Sequence, residues 1–208
     1  MELQYYGGNC IRISTKKAGI VVDDNLVALG VKSIAKPGDV MLFTGASSAA
    51  PLDAKLVIQE PGEYEVSDIS IKGIAARAHM DEEGKQSATM FKIIVDDVRI
   101  AVVGHVHPDL SSAQLENLGT IDVLIIPTGG SGYTLDPVGA LKLIKEIEPK
   151  VVIPTHYAEK GINYEVPQQS LEEVVKGLSM EPRETTAKLK VKAGELGDTT
   201  QLVILEKQ

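Results

Sequence analysis

In roughly the first hundred residues, apolar positions fall in short runs or alternate with polar ones, separated by Gly, Pro, Asp and Asn, the punctuation of hairpins and meanders. Ile11 and Ile13 alternate with polar neighbours. Residues 18–22 form a continuous apolar run that ends at Asp23-Asp24-Asn25. Leu56-Val57-Ile58 precedes Glu60-Pro61-Gly62-Glu63, and Ile69, Ile71 and Ile74 continue the strand pattern. The clearest hairpin has two β-branched arms, residues 91–95 and 98–103, joined by Asp96-Asp97; both arms are apolar enough to be buried.

The period then lengthens, and helices alternate with strands. Ser111-Ser112 caps a short helix through Leu115 and Leu118, with Gly119 as its stop. A strand is expected at residues 123–126. Asp136 caps a second helix, with Pro137 in its first turn, Ala140, Ile144 and Ile147 on one face, and Pro149 beyond its end. Val151-Val152-Ile153 reads as a strand. Ser170-Leu171-Glu172-Glu173 is a capping box opening an amphipathic helix with Val174, Val175 and Leu178. Leu189 and Val191, then residues 202–205, close the chain as two strands, and residues 180–186 form the most linker-like stretch. Many strands with a minority of helices predict an α/β fold: two packed sheets with helices over the outer faces, and sites on loops at one sheet edge. No boundary or repeat interrupts residues 1–208, which read as a single domain.

Composition narrows the function classes. The 208 residues are 43% hydrophobic and 24% charged, ordinary for a soluble globular chain. Twenty-one basic against 29 acidic residues give a net charge of −8. The basic residues are scattered, and there are only six tyrosines, two phenylalanines and no tryptophan. Neither nucleic acid nor a membrane surface is therefore an expected partner. The single Cys10 forms no internal disulfide, and the first residues show no signal-like stretch, which points to the cytoplasm. Cys10 itself reads as a buried, inert thiol.

Four histidines stand at His79, His105, His107 and His156. Three of them, His79, His105 and His156, each follow a strand-like segment. Strand ends gathered at one edge would bring three imidazoles together, enough for a mononuclear zinc with one open position. His107 alternates with His105 and is expected to face the other way. The Gly129-Gly130-Ser131-Gly132 loop lacks both the phosphate-loop lysine and the dinucleotide spacing, so it reads as a turn. Asp81-Glu82-Glu83 reads as a solvated acidic face. No Gly-x-Ser-x-Gly elbow occurs.

Several segments, in order, resemble the metallo-β-lactamase superfamily, in particular its branch of small metal-dependent hydrolases that includes L-ascorbate-6-phosphate lactonase. They are Tyr6-Gly7-Gly8-Asn9-Cys10-Ile11-Arg12-Ile13, Ile20-Val21-Val22-Asp23, Pro61-Gly62-Glu63-Tyr64-Glu65-Val66, Ala78-His79, Val103-Gly104-His105, residues 122–127 with Gly129-Gly130, and Val152-Ile153-Pro154-Thr155-His156-Tyr157. The resemblance implies an αββα sandwich, expected here as two mainly antiparallel sheets with helices on the outer faces. It also implies that His79 matches a ligand of one metal, His156 a ligand of the other, and Asp23 an aspartate near the metals that orients its neighbours.

The resemblance breaks at the chemistry. Where hydrolytic members carry a His-x-His-x-Asp-His run, this chain has Thr44-Gly45-Ala46-Ser47-Ser48-Ala49-Ala50. Glycine and alanine give a cation no side-chain donor, and a neutral hydroxyl is a poor ligand. Gly8 stands where many relatives have histidine, and His105 where a bridging aspartate is usual. An imidazole offers one lone pair and no negative charge, so it bridges two dications badly.

Three readings follow. In the first, a hydrolase homologue without its two-metal centre acts as a binding, scaffold or self-associating protein, taking a small-molecule ligand or forming a homo-oligomer. In the second, His79, His105 and His156 hold a single zinc in a rearranged site acting on an ester, lactone or phosphodiester. The third is a metal-independent enzyme using His79, Asp81, His105 and His156 as acids and bases. The cofactor is accordingly none or one zinc ion, and the sequence leaves open whether the protein is an enzyme.

Overall fold

A computed structural model of the protein describes residues 1–46, 50 and 53–208. Two sheets make up the fold. The first runs in the order β13 (Leu189–Lys190), β1 (Glu2–Gly7), β2 (Cys10–Ser14), β3 (Gly19–Val22), β4 (Val40–Leu42) and β5 (Leu56–Ile58). The second has eight strands in the order β12 (Pro182–Thr186), β14 (Gln201–Leu205), β11 (Val151–Thr155), β10 (Val123–Pro127), β9 (Val98–Val102), β8 (Ala88–Val95), β7 (Ile69–Ala76) and β6 (Gly62–Val66).

The largest buried cluster draws side chains from both sheets, among them Leu3, Ile11, Ile13 and Leu42 from the first and Ile71, Phe91, Ile125 and Ile153 from the second. Strand sequence follows from this packing. β1 alternates between half-buried and buried positions because one of its faces meets the core, whereas β10 and β11 are buried at every residue, being covered on both faces.

The pairing is more mixed than mainly antiparallel. β6 to β9 form the expected antiparallel meander, and β1 to β3 another. From β9 through β10, β11 and β14 to β12, however, every neighbour is parallel, as are β3, β4 and β5. For β9, β10, β11 and β14 the cause lies in the chain order: helices intervene between these strands, and a strand that returns over a helical crossover re-enters in the same direction.

Local signals set the helices. α1 (Ser112–Leu118) and α3 (Leu171–Leu178) each begin with a reciprocal capping box, Ser111 with Gln114 and Ser170 with Glu173. The Asp136 side chain accepts from the Gly139 N–H to start α2 (Pro137–Ile147), with Pro137 at its head. Each such cap contributes about 1 kcal/mol. All three helices pack on the eight-stranded sheet or on one another. The outer face of the other sheet carries Cys10, Val21, Met41 and Phe43, covered by Leu26, Val31, Ile34 and Ala35 from turns rather than a helix. Cys10 is buried there, as expected. The linker-like stretch is corrected: most of it is β12, an edge strand paired with β14.

Candidate functional site

Strands β3, β4, β9, β10 and β11 all end at one rim of the sandwich, and the candidate side chains stand just past those ends. Asp23 closes β3 with a left-handed backbone, φ 48°, and its carboxylate turns toward the end of β4. There it accepts from the Thr44 N–H at 2.7 Å and from the Thr44 hydroxyl at 2.6 Å. Burial pushes the Asp23 carboxyl up to about 6, against the opposing pull of the two Thr44 bonds. Gly104 lets β9 come this close: its φ is 62°, and a Cβ there would lie 2.1 Å from Thr44 Oγ1.

His105 and His156 come together, their rings edge to face with centroids 4.5 Å apart. His156 is 5% exposed and left-handed, φ 53°; its N–H donates to the Gly8 carbonyl at 2.8 Å, and its Nδ1 lies 3.1 Å from Gln168 Oε1. Gly129 is needed beside it, because a Cβ there would sit 2.0 Å from the His156 carbonyl. Burial drives both imidazoles down, His105 to about 3, with His156 and His79 adding to the effect, and His156 to about 4 despite the Gln168 bond. At neutral pH both rings are uncharged, the form in which imidazole offers a donor and an acceptor but carries no proton to transfer as an acid.

His79 joins them only in part. A short antiparallel bridge pairs Ala78 with Val106, and the His79 N–H donates to the His105 carbonyl at 2.7 Å. The His79 ring, however, packs 6.2 Å from that of His107. His107 faces away from the His105 ring, as the alternation predicted. The Nδ1 atoms of His79 and His105 are both buried without a hydrogen-bond partner. Asp81 is committed elsewhere: its carboxylate accepts from the Ser87 N–H and hydroxyl and from the Ala78 N–H. Burial raises this carboxyl, but those bonds together hold it well below the usual carboxylate range.

A cavity of about 350 Å³ opens at this rim, lined by Asn9, Asp23, Thr44, His105, His156 and two tyrosines, Tyr133 and Tyr164, among others. Sequence reasoning missed both tyrosines. They belong to loops, and only tertiary contacts bring them in. Ser131 Oγ donates to the Pro167 carbonyl and the Gln169 N–H to Gly129, tying the glycine-rich turn to the segment that follows β11. Tyr164 then packs against His156, ring centroids 4.9 Å apart and tilted by 52°, while its hydroxyl donates to the Tyr157 carbonyl, and Tyr133 meets His105 edge-on at 5.0 Å. The scarcity of aromatic residues was the one available signal.

The family model of the beta-lactamase superfamily domain matches residues 2–156. The chain belongs to this superfamily. It is 22% identical over 182 residues to a UPF0173 protein of Pyrococcus abyssi, covering 77% of this chain and 85% of that one. A UPF0173 metal-dependent hydrolase of Thermococcus onnurineus is 32% identical over 100 residues, 46% of this chain and 44% of that one. Among solved structures, a metallo-beta-lactamase superfamily protein of Thermotoga maritima superimposes with a TM-score of 0.77 at 24% identity over 99% of both chains. A structure from Parabacteroides distasonis gives 0.68 at 14% identity, over 99% of this chain and 93% of that one. At these identities the likeness concerns the fold, two packed sheets with helices, consistent with the superfamily's αββα sandwich although, among the described residues, helices cover only the eight-stranded sheet.

The superfamily's two-metal centre does not fit the residues present. Each Asp23 oxygen already accepts one bond from Thr44, and the described part of the following loop, Gly45 and Ala46, supplies no side-chain donor. The rest of the replaced loop, Ser47, Ser48 and Ala49, lies outside the described residues. Among the described residues, no group of three or more His, Cys, Asp or Glu is placed to hold a metal ion. The protein is thus a superfamily hydrolase homologue without an evident metal-binding cluster among the described residues.

Proposed function

We propose that the protein uses its strand-end cleft to bind a small molecule and does not run the two-metal hydrolysis of its relatives. The observation carrying this reading is the stretch after Thr44, where Gly45 and Ala46 give a cation no side-chain donor in the loop that holds metals in hydrolytic members. Two buried imidazoles whose pKa values burial pushes down are weak bases, which supports binding over proton transfer. The shared core supports treating residues 1–208 as one domain, and the lone buried Cys10 supports a reducing, cytoplasmic setting. Elemental analysis of the purified protein, with melting measured before and after a chelator, tests the reading. No stoichiometric metal and an unchanged melting temperature are expected; a tightly held pair of cations overturns it.

A second reading keeps a single zinc at His79, His105 and His156. The orphaned Nδ1 atoms of His79 and His105 favour it, since buried polar atoms normally find a partner. In that site the zinc would lower the pKa of a bound water toward neutrality. One metal per chain, lost on changing any of the three histidines, would establish it over the first. A phosphorylated lactone, the substrate type suggested by resemblance to the lactonase branch, finds no cationic side chain among the described residues lining the cleft.

A further inference from the structure

We propose that the cavity binds a small organic cation that carries N–H groups, a protonated amine, with its ammonium set between Glu165, Nε2 of His156 and the tyrosine rings; the inference rests on the binding reading of the cleft given above. Charge comes first. Among the described residues lining the cavity, Asp23 and Glu165 are acidic and none is lysine or arginine. Glu165 is exposed and makes no ion pair or hydrogen bond to a described residue. It also stands beside a ring: burial raises the Tyr133 phenol, and the Glu165 charge adds to that rise. A cation entering here is attracted, whereas an anion would have to shed its water against carboxyl groups, which is costly.

Hydrogen bonding narrows the class, because the donors on the cavity wall are largely spent and the acceptors are not. The Thr44 hydroxyl is given to Asp23 and the Tyr164 hydroxyl to the Tyr157 carbonyl. Nδ2 of Asn9 and Nδ1 of His105 are sealed inside the protein and reach no ligand. His156 is different, and its tautomer is readable. The Gln168 amide donates through its Nε2 to the Val166 carbonyl at 2.9 Å, so the atom 3.1 Å from His156 Nδ1 is its oxygen, and Nδ1 is the nitrogen that carries the hydrogen. Nε2 of the uncharged ring is then a lone-pair acceptor. It bonds to no described residue and is not among the sealed atoms, so it keeps open surface on a side chain that lines the cavity. Glu165 is the second acceptor. A positive group with N–H donors satisfies both, and a carboxylate or phosphate satisfies neither.

The aromatic wall supplies the third constraint. Two of the protein's six tyrosines, Tyr133 and Tyr164, line this one cleft. The Tyr133 and His156 rings lie within 29° of parallel with centroids 6.0 Å apart, and the Tyr164 ring lies 4.9 Å from that of His156. A tyrosine face attracts a cation held within about 6 Å of its centroid, and the attraction grows where water is displaced. A volume of about 350 Å³ is at the small end of ordinary ligand pockets, which suits an amine carrying a single ring.

Matched probes separate these claims. Benzylamine, benzyl alcohol and benzoate share a ring and differ in charge at one end, while benzyltrimethylammonium keeps the positive charge and lacks the N–H. Titrated into the protein at pH 7.5 and followed by NMR shifts of the Tyr133 and His156 side chains, benzylamine is expected to bind at least about tenfold more tightly than any of the others. In a long-range proton–nitrogen correlation spectrum, Nε2 of His156 is expected to be the unprotonated nitrogen and to shift with benzylamine but not with benzyltrimethylammonium. Glu165→Gln changes an exposed side chain, and it is expected to weaken benzylamine by about threefold or more while leaving benzyl alcohol unchanged. Any of the other probes binding as tightly as benzylamine, a protonated Nε2 in the free protein, an unaltered benzylamine affinity in Glu165→Gln, or no probe moving those signals overturns the inference. Metal content is measured on the same sample. Bound metal ions would refute the binding reading itself, whereas metal-free protein that prefers benzoate or benzyl alcohol refutes only the ligand class.

Discussion

Asp23 and Thr44 form a closed pair across the ends of β3 and β4, with one carboxylate oxygen on the Thr44 N–H at 2.7 Å and the other on its hydroxyl at 2.6 Å. The carboxyl is buried without a cation beside it, so it releases its proton only near pH 6. An acid that holds its proton more tightly when folded stabilises the native state fully below its unfolded value, near 3.9. That contribution is lost as the pH rises through about 6. Asp23→Asn removes the penalty, keeps the shape, and can donate to a reversed Thr44 hydroxyl. Relative to the parent, the variant is expected to gain stability between pH 4 and pH 8, nearly all of it below about pH 6.5 where the difference levels off, by about 2 to 3 kcal/mol. Urea unfolding at both pH values measures this, and a gain independent of pH contradicts it.

Gly104 is the backbone condition for that pair. Its φ of 62° and the 2.1 Å approach of a virtual Cβ to Thr44 Oγ1 leave no room for a side chain. Gly104→Ala is expected to cost about 2 to 4 kcal/mol, combining a left-handed alanine with displacement of Thr44. Gly38 has a similar φ of 79° but open space around it, so Gly38→Ala is expected to cost about 1 kcal/mol, from backbone strain alone. Denaturation of the two variants side by side separates crowding from strain; equal losses would remove crowding at Thr44 as the reason for this glycine.

How much of this was legible in the chain depended on how local the cause was. The caps at Ser111, Asp136 and Ser170 act within three residues, and all three helices start where those residues stand. The Asp96-Asp97 turn was equally readable, both residues taking the left-handed backbone of a tight hairpin. Strand β12 was not, because Pro-Arg-Glu-Thr-Thr has no apolar alternation and is held by pairing with β14 at the sheet edge. At the site, the alternation of His105 and His107 fixed their opposite directions. The turn of His79 toward His107, and the arrival of Tyr133 and Tyr164 from loops, depend on contacts between segments far apart in sequence.

His156 holds a left-handed conformation immediately after a buried strand, its N–H on Gly8 and its ring on Gln168. Asparagine tolerates that backbone better than alanine and retains a polar group toward Gln168. His156→Asn is therefore expected to be more stable than His156→Ala by about 1 kcal/mol, despite both losing the ring contact with His105. Thermal or urea unfolding of the pair decides it, and alanine equalling asparagine would show that the backbone strain is relieved elsewhere.

Asp81 has the opposite pH signature to Asp23. Burial alone would raise its carboxyl, but the Ser87 hydroxyl and N–H, the Ala78 N–H and Lys85 outweigh that and hold it well below the ordinary range. A carboxylate lowered in the folded state stabilises above its unfolded value, near 3.9, and loses that contribution as the pH falls further. Asp81→Asn is accordingly expected to be destabilising at pH 7, with the difference from the parent shrinking below pH 4. Because the Ala78 N–H is one of its donors, the same change is expected to speed amide exchange in the segment carrying His79. If Asp81 instead served as a proton-transfer group, its replacement would leave stability and exchange unmoved at pH 7, the outcome that would return it to the list of candidate acids and bases.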